Sequence, residues 1–435
     1  MKPEIQKIYD EKLTTAAEAV KCIKSGDRVY SGTASSTAYG LLQALWERRH
    51  ELEGVTIINA NSYQHTPIFD ETEDNPFLFS TFFTGVNERK QRRRLSYTSV
   101  HLSLVDLWTD TVGKPDVCLF EVSPPDENGY CSFGPSGVAP GWRMKEVGKT
   151  IILQVNRNTP YLYGEKNLIH VSEADMICEI DWDYDRFEVM EPDETSKKIA
   201  SYILEEIPDG ATFQLGLGNI STAIGYGLKS KNDLGIYTEL LSQPMVELMR
   251  SGNVTNAHKG FLDGKTVFSF SLGNPDLYEE LNYNENFYVL PFCICNDARV
   301  IAKNKNMISI NATMSLDLFG EAASEGMNWK QYSAVGGQLD FVRGAQWSEG
   351  GKSFIATTSS FVKNGKRFSK IVPFFDPGTP VTTPRSDIQY VATEYGCVNL
   401  KVLTMEDRAK AIISIAHPDF REELTAQAKK VGLIK

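Results

Sequence analysis

Histidine is scarce in this sequence and its cysteines are unpaired, which sets the first limits. The six histidines (His50, His65, His101, His170, His258, His417) show no HxxxH or HxH spacing, so no metal-ligand pattern is legible and no metal is expected. The seven cysteines are odd in number and scattered. Cys293 and Cys295 make a lone C-x-C, which is neither a zinc pair nor a redox C-x-x-C. Reduced thiols in a cytoplasmic protein are the expected reading. No stretch approaches the ~18 apolar residues of a membrane span. The charged N-terminus MKPEIQKIYDEKLTTAAEAVKCI lacks the apolar core of a signal peptide. A basic excess is missing too: the net charge of −11 argues against general nucleic-acid binding. Neither a nucleic acid nor a membrane is therefore expected as a partner.

What the chain does have is length, apolar material and an internal echo. Its 435 residues suggest two to three domains, and 41% hydrophobic residues can fill their cores. SGDRVYSGTASSTAYGLLQAL (25–45) resembles DGATFQLGLGNISTAIGYGLK (209–229), with Gly26 matching Gly210 and Gly32 matching Gly216. Each reads as a Gly turn, a strand, a small-residue loop and a helix. A second strand follows in both, GVTIINANS from Gly54 and GIYTELLSQ from Gly235. The pattern predicts two similar open α/β halves of the doubly wound kind. Between them YLYGEKNLIHVSEADMICEIDWDYDRFEVMEPDETSKKIASYIL turns polar and acidic. Pro192 marks a boundary, and Asp193 or Thr195 a helix N-cap. The predicted domains are 1–190 and 191–435, the latter carrying Glu239.

Glu239 stands out because it interrupts an apolar run in GIYTELLSQP (235–244) where a strand ends and Pro244 opens a helix. Aligned on Gly54 and Gly235, its counterpart in the first half is Ile58, so the acid is not a shared structural feature. Two chemical readings compete. Gly216-x-Gly218 after a strand, with an acid 21 residues past Gly218, resembles a dinucleotide fingerprint, but Ser221 stands where the third glycine belongs. Alternatively, a carboxylate at a strand's C-terminal end faces the ligand crevice of an α/β sheet. Backbone N–H groups around Gly216–Asn219 would there receive an oxyanion, which equips the site for acyl transfer through an anhydride.

At this point the residues carry a resemblance. GLGNIS (216–221) and GIYTELLSQPMVELMRSGNVTN (235–256) resemble the core of the class I coenzyme A-transferases, in the acetyl-CoA hydrolase/transferase branch with 4-hydroxybutyrate and butyryl-CoA:acetate CoA-transferases. The likeness continues through SPPDENGYCSFG (123–134), HVSEAD (170–175), SINATMSLDLFGE (309–321), VGGQLDFVRGA (335–345), SKIVPFFD (369–376), VATEYGCVNL (391–400) and AHPDFREEL (416–424). It implies two α/β domains with the active site in the cleft between them. It makes Glu239 of the Thr238-Glu239 pair the nucleophile and Asn296 the asparagine beside the anhydride. It assigns the oxyanion and CoA-binding backbone to Gly216, Leu217, Gly218 and Asn219, and to Gly336 and Gly337. The chain departs from the family pattern at Tyr237, at Gln243-Pro244, at Asp297-Ala298 and across SFGPSGVAPGW (132–142).

The implied activity is reversible CoA transfer between a short-chain acyl-CoA and a carboxylate, by a ping-pong route through an acyl-glutamyl anhydride and a glutamyl-CoA thioester. Coenzyme A is then substrate and transient adduct, and no cofactor is called for. A homodimer or dimer of dimers is implied as well. An acyl-CoA hydrolase and a nucleotide-binding oxidoreductase remain the alternatives. The basic run NERKQRRRL (87–95) reads as a solvated face or a phosphate contact, and Glu394 as a buried paired acid or a CoA contact.

Overall fold

Each of the two echoing segments supplies an internal strand of a largely parallel sheet in a computed structural model that describes residues 1–91, 93–184 and 191–435. The first sheet contains β1 (Arg28–Thr33), β2 (Thr56–Ala60), β3 (Leu78–Thr81), β4 (Leu95–Tyr97), β5 (Val117–Val122), β6 (Thr150–Val155) and β7 (Met176–Glu179). Their order is β4-β3-β2-β1-β5-β6-β7, with every pair parallel. Parallel sheets are covered on both faces, which is why VCLFEV of β5 is buried at every position. Helix α1 (Tyr39–Glu47) lays Leu41, Leu42 and Leu45 into the same core as Val29, Ile57 and Phe79.

Beyond this sheet the chain runs through β8 (Thr212–Leu215), α2 (Asn219–Gly227), β9 (Gly235–Ile236), β10 (Leu240–Ser242) and α3 (Gln243–Arg250). Then come β11 (Thr266–Phe268), β12 (Phe270–Leu272), β13 (Phe287–Val289), α4 (Ala298–Ile301) and β14 (Met307–Ala312). It closes through α5 (Gln338–Trp347), β15 (Lys352–Ala356), β16 (Tyr390–Thr393) and β17 (Gly396–Asn399), followed by two C-terminal helices. The second sheet has the order β9-β8-β14-β15-β16-β17, parallel except for the last pair. Its run β9-β8-β14-β15-β16 repeats β2-β1-β5-β6-β7 of the first sheet. The expected doubling of an open α/β unit is therefore present in the topology. Asp193, of the two cap candidates, fills the N-cap of the helix Glu194–Leu204, accepting from the Ser196 N–H at 2.7 Å.

Contacts divide the chain into two units. One takes Met1–Phe187, Glu239–Gln243 and Lys265–Cys295; the other takes Glu188–Thr238, Pro244–Gly264 and Asn296–Lys435. The boundary expected near residue 190 lies outside the described residues. The expectation that 191–435 forms one domain carrying Glu239 needs correction, because Glu239 belongs to the first unit. The reason is local pairing: β10 runs parallel to β12, with Leu240 beside Phe270. The Glu239 carbonyl also accepts the N–H groups of Ser269 and Phe270, each at 3.0 Å.

Strand pairing corrects the internal alignment as well. β1 pairs Arg28 with Thr56, and β8 pairs Thr212 with Gly235. Since Arg28 and Thr212 occupy matching places after Gly26 and Gly210, Glu239 corresponds to Ala60 rather than Ile58. The loop before β9 is shorter than Gly-to-Gly matching allowed for.

One buried polar cluster sits at the end of β5. The Glu121 carboxyl meets the Tyr184 hydroxyl at 2.9 Å, the Thr159 hydroxyl at 3.2 Å and the Gln154 amide N–H at 3.1 Å. Burial pushes its pKa up to about 8, which keeps it a neutral, hydrogen-bonded acid at physiological pH.

Candidate active site

In open parallel sheets ligands bind beyond the carboxyl ends of the strands where the order reverses. β1 is that reversal point in the first sheet, since the chain goes to β2 on one side and later to β5 on the other. A small apolar cavity lies there, bounded by Thr33 and Ala34 at the end of β1 and Ala60 and Asn61 at the end of β2. Phe82 and Phe83 follow β3 and close a third side, and Glu239 completes the wall. Glu239 occupies a bend between β9 and β10 and is half-buried.

The backbone around this cavity is strained. Ala34 has φ 49° and Asn61 φ 56°, left-handed conformations that cost about 1–3 kcal/mol each for such residues. Gly32 has φ 102°, and a Cβ placed on it would lie 2.1 Å from the Ser36 carbonyl oxygen. Only glycine lets β1 turn this sharply. Asn59 stitches the two strand ends, its amide donating to the Ser31 hydroxyl at 3.0 Å and the Gly32 carbonyl at 3.2 Å. Strain held by such bonding is common at functional sites.

The far wall is aromatic. Phe82 packs edge-on against Trp108, with centroids 5.1 Å apart, and against Phe292 at 6.4 Å. Phe292 in turn meets Phe270 edge-on at 6.0 Å. Edge-to-face aromatic contacts of this kind fix side-chain positions as well as burying area. Behind the wall Glu88, 1% exposed, ties two cavity loops together. Its carboxylate accepts from the Ser62 N–H at 3.0 Å, the Ser62 hydroxyl at 2.6 Å and the Gly85 N–H at 2.7 Å. Burial raises its pKa, and those bonds pull the other way.

The remaining predicted residues belong to the second unit. Gly216 through Asn219 link β8 to α2, with Gly218 (φ 103°) as a helix N-cap that no side chain caps. The Gly216 N–H continues the sheet ladder to the Ile310 carbonyl at 3.0 Å, so that amide is committed. Gly218 instead carries the left-handed geometry. Gly336 (φ 61°) and Gly337 precede α5, with Gly337 as another N-cap lacking a side-chain cap. Both loops thus end at helix N-termini, where backbone N–H groups favour anions. Asn296 is fully buried just ahead of α4. α4 packs against α5 so closely that a Cβ on Gly344 would approach Ile301 to 2.5 Å. Asn296 and the Gly336–Gly337 pair are therefore linked through two touching helices, whereas Glu239 belongs to the first unit.

Several surrounding residues went unread in the sequence. Phe82, Phe270 and Phe292 come from distant segments and carry no local motif. Lys259 is buried under β9, its ammonium donating to the Ile236 carbonyl at 3.3 Å, and burial lowers its pKa to about 7. The basic run 87–95 is partly structural: the Arg94 guanidinium donates to the Asp70 carbonyl at 2.7 Å and the Asn75 carbonyl at 3.1 Å. Arg92 lies outside the described residues. Glu394 is a paired acid, accepting from the Ser359 N–H at 2.8 Å.

Comparison with known proteins bears on this arrangement. The acetyl-CoA hydrolase/transferase N-terminal domain matches residues 1–184, and the C-terminal domain of the same family matches 273–428. A succinyl-CoA:cyclohexane-1-carboxylate CoA transferase of Geobacter metallireducens is 39% identical, covering 100% of this chain and 98% of that protein. The chain belongs to the acetyl-CoA hydrolase/transferase family. Another member, the 4-hydroxybutyrate coenzyme A transferase of Clostridium kluyveri, is 37% identical over 98% of this chain and 99% of its own. The crystal structure of RipA from Yersinia pestis superimposes with a TM-score of 0.92 at 38% identity, covering 99% of this chain and 100% of that one. A 4-hydroxybutyrate CoA-transferase structure from Porphyromonas gingivalis gives 0.81 at 32%, covering 98% and 99%. The family resemblance and the paired α/β fold expected from the sequence are both borne out. Glu239 and the Gly216–Asn219 loop fall between the two domain matches, in a stretch that the full-length relatives span.

Proposed function

We propose that this chain moves coenzyme A between an acyl-CoA thioester and a free short-chain carboxylate, with the Glu239 carboxylate as nucleophile. A Glu239 oxygen attacks the thioester carbonyl, the C–S bond breaks, and an acyl-glutamyl anhydride and a CoA thiolate result. The thiolate then attacks the glutamyl carbonyl, which releases the first carboxylate and leaves a glutamyl-CoA thioester. A second carboxylate attacks that carbonyl and expels the thiolate. The thiolate finally takes the acyl group from the new anhydride and restores Glu239. Each attack builds an oxyanion, for which the Leu217, Gly336 and Gly337 amides are the donors in this scheme. One such donor is typically worth about 2.7–4 kcal/mol of transition-state stabilisation. Asn296 is assigned to the anhydride, and the scheme calls for no metal or further cofactor.

The observation that carries the reading is the position of Glu239. Among the described residues it is the one carboxylate on the wall of a mostly apolar cavity, at the carboxyl ends of strands followed by the left-handed Ala34 and Asn61.

Intact-protein mass spectrometry after mixing with butyryl-CoA tests this directly. A CoA adduct is expected, and borohydride reduction followed by peptide mapping should place the reduced residue at Glu239. Glu239→Ala should lose the adduct and the turnover with acetate as acceptor while still binding CoA. Adduct formation by that variant at the wild-type rate would refute the assignment.

A further inference from the structure

In a chain of net charge −11, the stretch from Gly350 to Phe375 contains no acidic residue and five cationic ones, Lys352, Lys363, Lys366, Arg367 and Lys370. Three of these lie on a two-stranded hairpin, Ser360–Lys363 against Lys366–Ser369. Its turn is Asn364-Gly365, with φ 52° and 75°, the left-handed pair that a two-residue hairpin loop needs. The register sets Lys363 directly opposite Lys366 and Phe361 opposite Phe368. Like charges so opposed destabilise a ladder, and among the described residues neither lysine has a carboxylate partner. The two rings are stacked, with centroids 5.4 Å apart at 19°, yet they are 42% and 37% exposed. Side chains at i and i+2 share a strand face, so the lysine pair and the ring pair lie on the same face. The basic run 87–95 differs, because Arg94 there is spent on backbone carbonyls.

The hairpin begins just past the carboxyl end of β15. Strands β8 and β15 flank β14, and all three run parallel. The Gly216–Asn219 loop therefore leaves the same end of the same sheet, from a strand about 10 Å away. That end is where an α/β sheet takes its ligand. Resting on the proposed CoA chemistry, we propose that this hairpin holds the nucleotide end of coenzyme A, with Lys363 and Lys366 on the 3′-phosphate and the Phe361–Phe368 face against the adenine. A phosphate between the lysines turns a repulsive pair into two charge-assisted contacts. The exposed rings supply the flat apolar surface on which a base stacks.

The test is titration calorimetry with CoA, with dephospho-CoA, which lacks only the 3′-phosphate, and with ATP. The proteins are the wild type, the double variant Lys363→Gln/Lys366→Gln and Phe361→Ala. The wild type should bind CoA about 10-fold or more tighter than dephospho-CoA. In the lysine variant that ratio should fall to about 1, and the variant should melt no lower than the wild type because the opposed charges are gone. Phe361→Ala should weaken both ligands by about 5-fold or more and keep their ratio, since both carry the adenine. If the alanine variant does not fold, the lysine variant answers the question alone. A CoA preference unmoved by the lysine changes overturns the inference and leaves the hairpin to a macromolecular partner. ATP bound more tightly than CoA also overturns it, in favour of a free nucleotide. Those failures leave the Glu239 adduct intact, whereas failure of the proposed chemistry removes the adduct and leaves the binding ratios in place.

Discussion

Replacing Glu88 should damage the cavity beside Glu239 from behind. Its carboxylate is the shared acceptor for Ser62, next to the strained Asn61, and for Gly85, two residues past Phe83. In Glu88→Gln one oxygen still serves Ser62, but the amide NH₂ then faces the Gly85 N–H across 2.7 Å. Two donors in contact leave at least one buried N–H unsatisfied, a cost of about 1–3 kcal/mol. Glu88→Ala orphans both backbone N–H groups and costs roughly 2–6 kcal/mol before any cavity is counted. For a unit of this size, a melting temperature lowered by about 2–4 °C per kcal/mol follows. The readouts are thermal unfolding of both variants and the kcat/KM ratio of butyryl- to acetyl-CoA, with the larger loss of temperature and selectivity in alanine. A glutamine variant with wild-type melting and wild-type selectivity would refute the reasoning. Lower melting with an unchanged ratio would confine Glu88 to stability.

Two further predictions concern the same unit. Gly32→Ala must force a Cβ against the Ser36 carbonyl at a φ that L-residues avoid, at a cost of about 2–6 kcal/mol from strain and overlap together. It should lower the melting temperature and slow adduct formation at Glu239, and a normal rate would mean the β1 turn does not shape the site. Glu121 makes stability fall with pH, because its folded pKa of about 8 lies above the ordinary 4.5. Between those values the folded chain holds a proton that the unfolded chain has lost, so stability declines through that window and levels off above it. Glu121→Gln, which mimics the neutral acid, should match the wild type near pH 5 and exceed it at pH 8.5 by a few kcal/mol, on the order set by such a shift. Parallel melting-versus-pH curves for the two proteins would disprove the neutral-acid account.

The duplicated fold was legible because glycines such as Gly26 and Gly210, both left-handed in the structure, punctuate strands at a constant spacing. Glu239 was legible because an acid inside GIYTELL is anomalous in an apolar run. Its counterpart was misjudged by two residues, since glycine matching cannot see hydrogen-bond register. Its unit was misjudged for a related reason: Leu240 and Leu241 are apolar whichever neighbour they pair with, and only the ladder to Phe270 and Ser271 decides. The aromatic wall was hidden altogether. Phe82, Phe270 and Phe292 meet across nearly two hundred residues of chain, and no periodicity links them.

The excursion of residues 239–243 and 265–295 into the first unit bears on how the chain is made. When a ribosome has released the first 190 residues, the seven-stranded sheet is complete, yet β10, β11, β12 and β13 are still to come. The first unit cannot finish folding until residue 295 has emerged, by which time β8 and β9 of the second are already out. The two halves must therefore mature as interleaved partners during synthesis. A gene cut at residue 190 would yield an N-terminal fragment without the glutamate and without the strands that hold it.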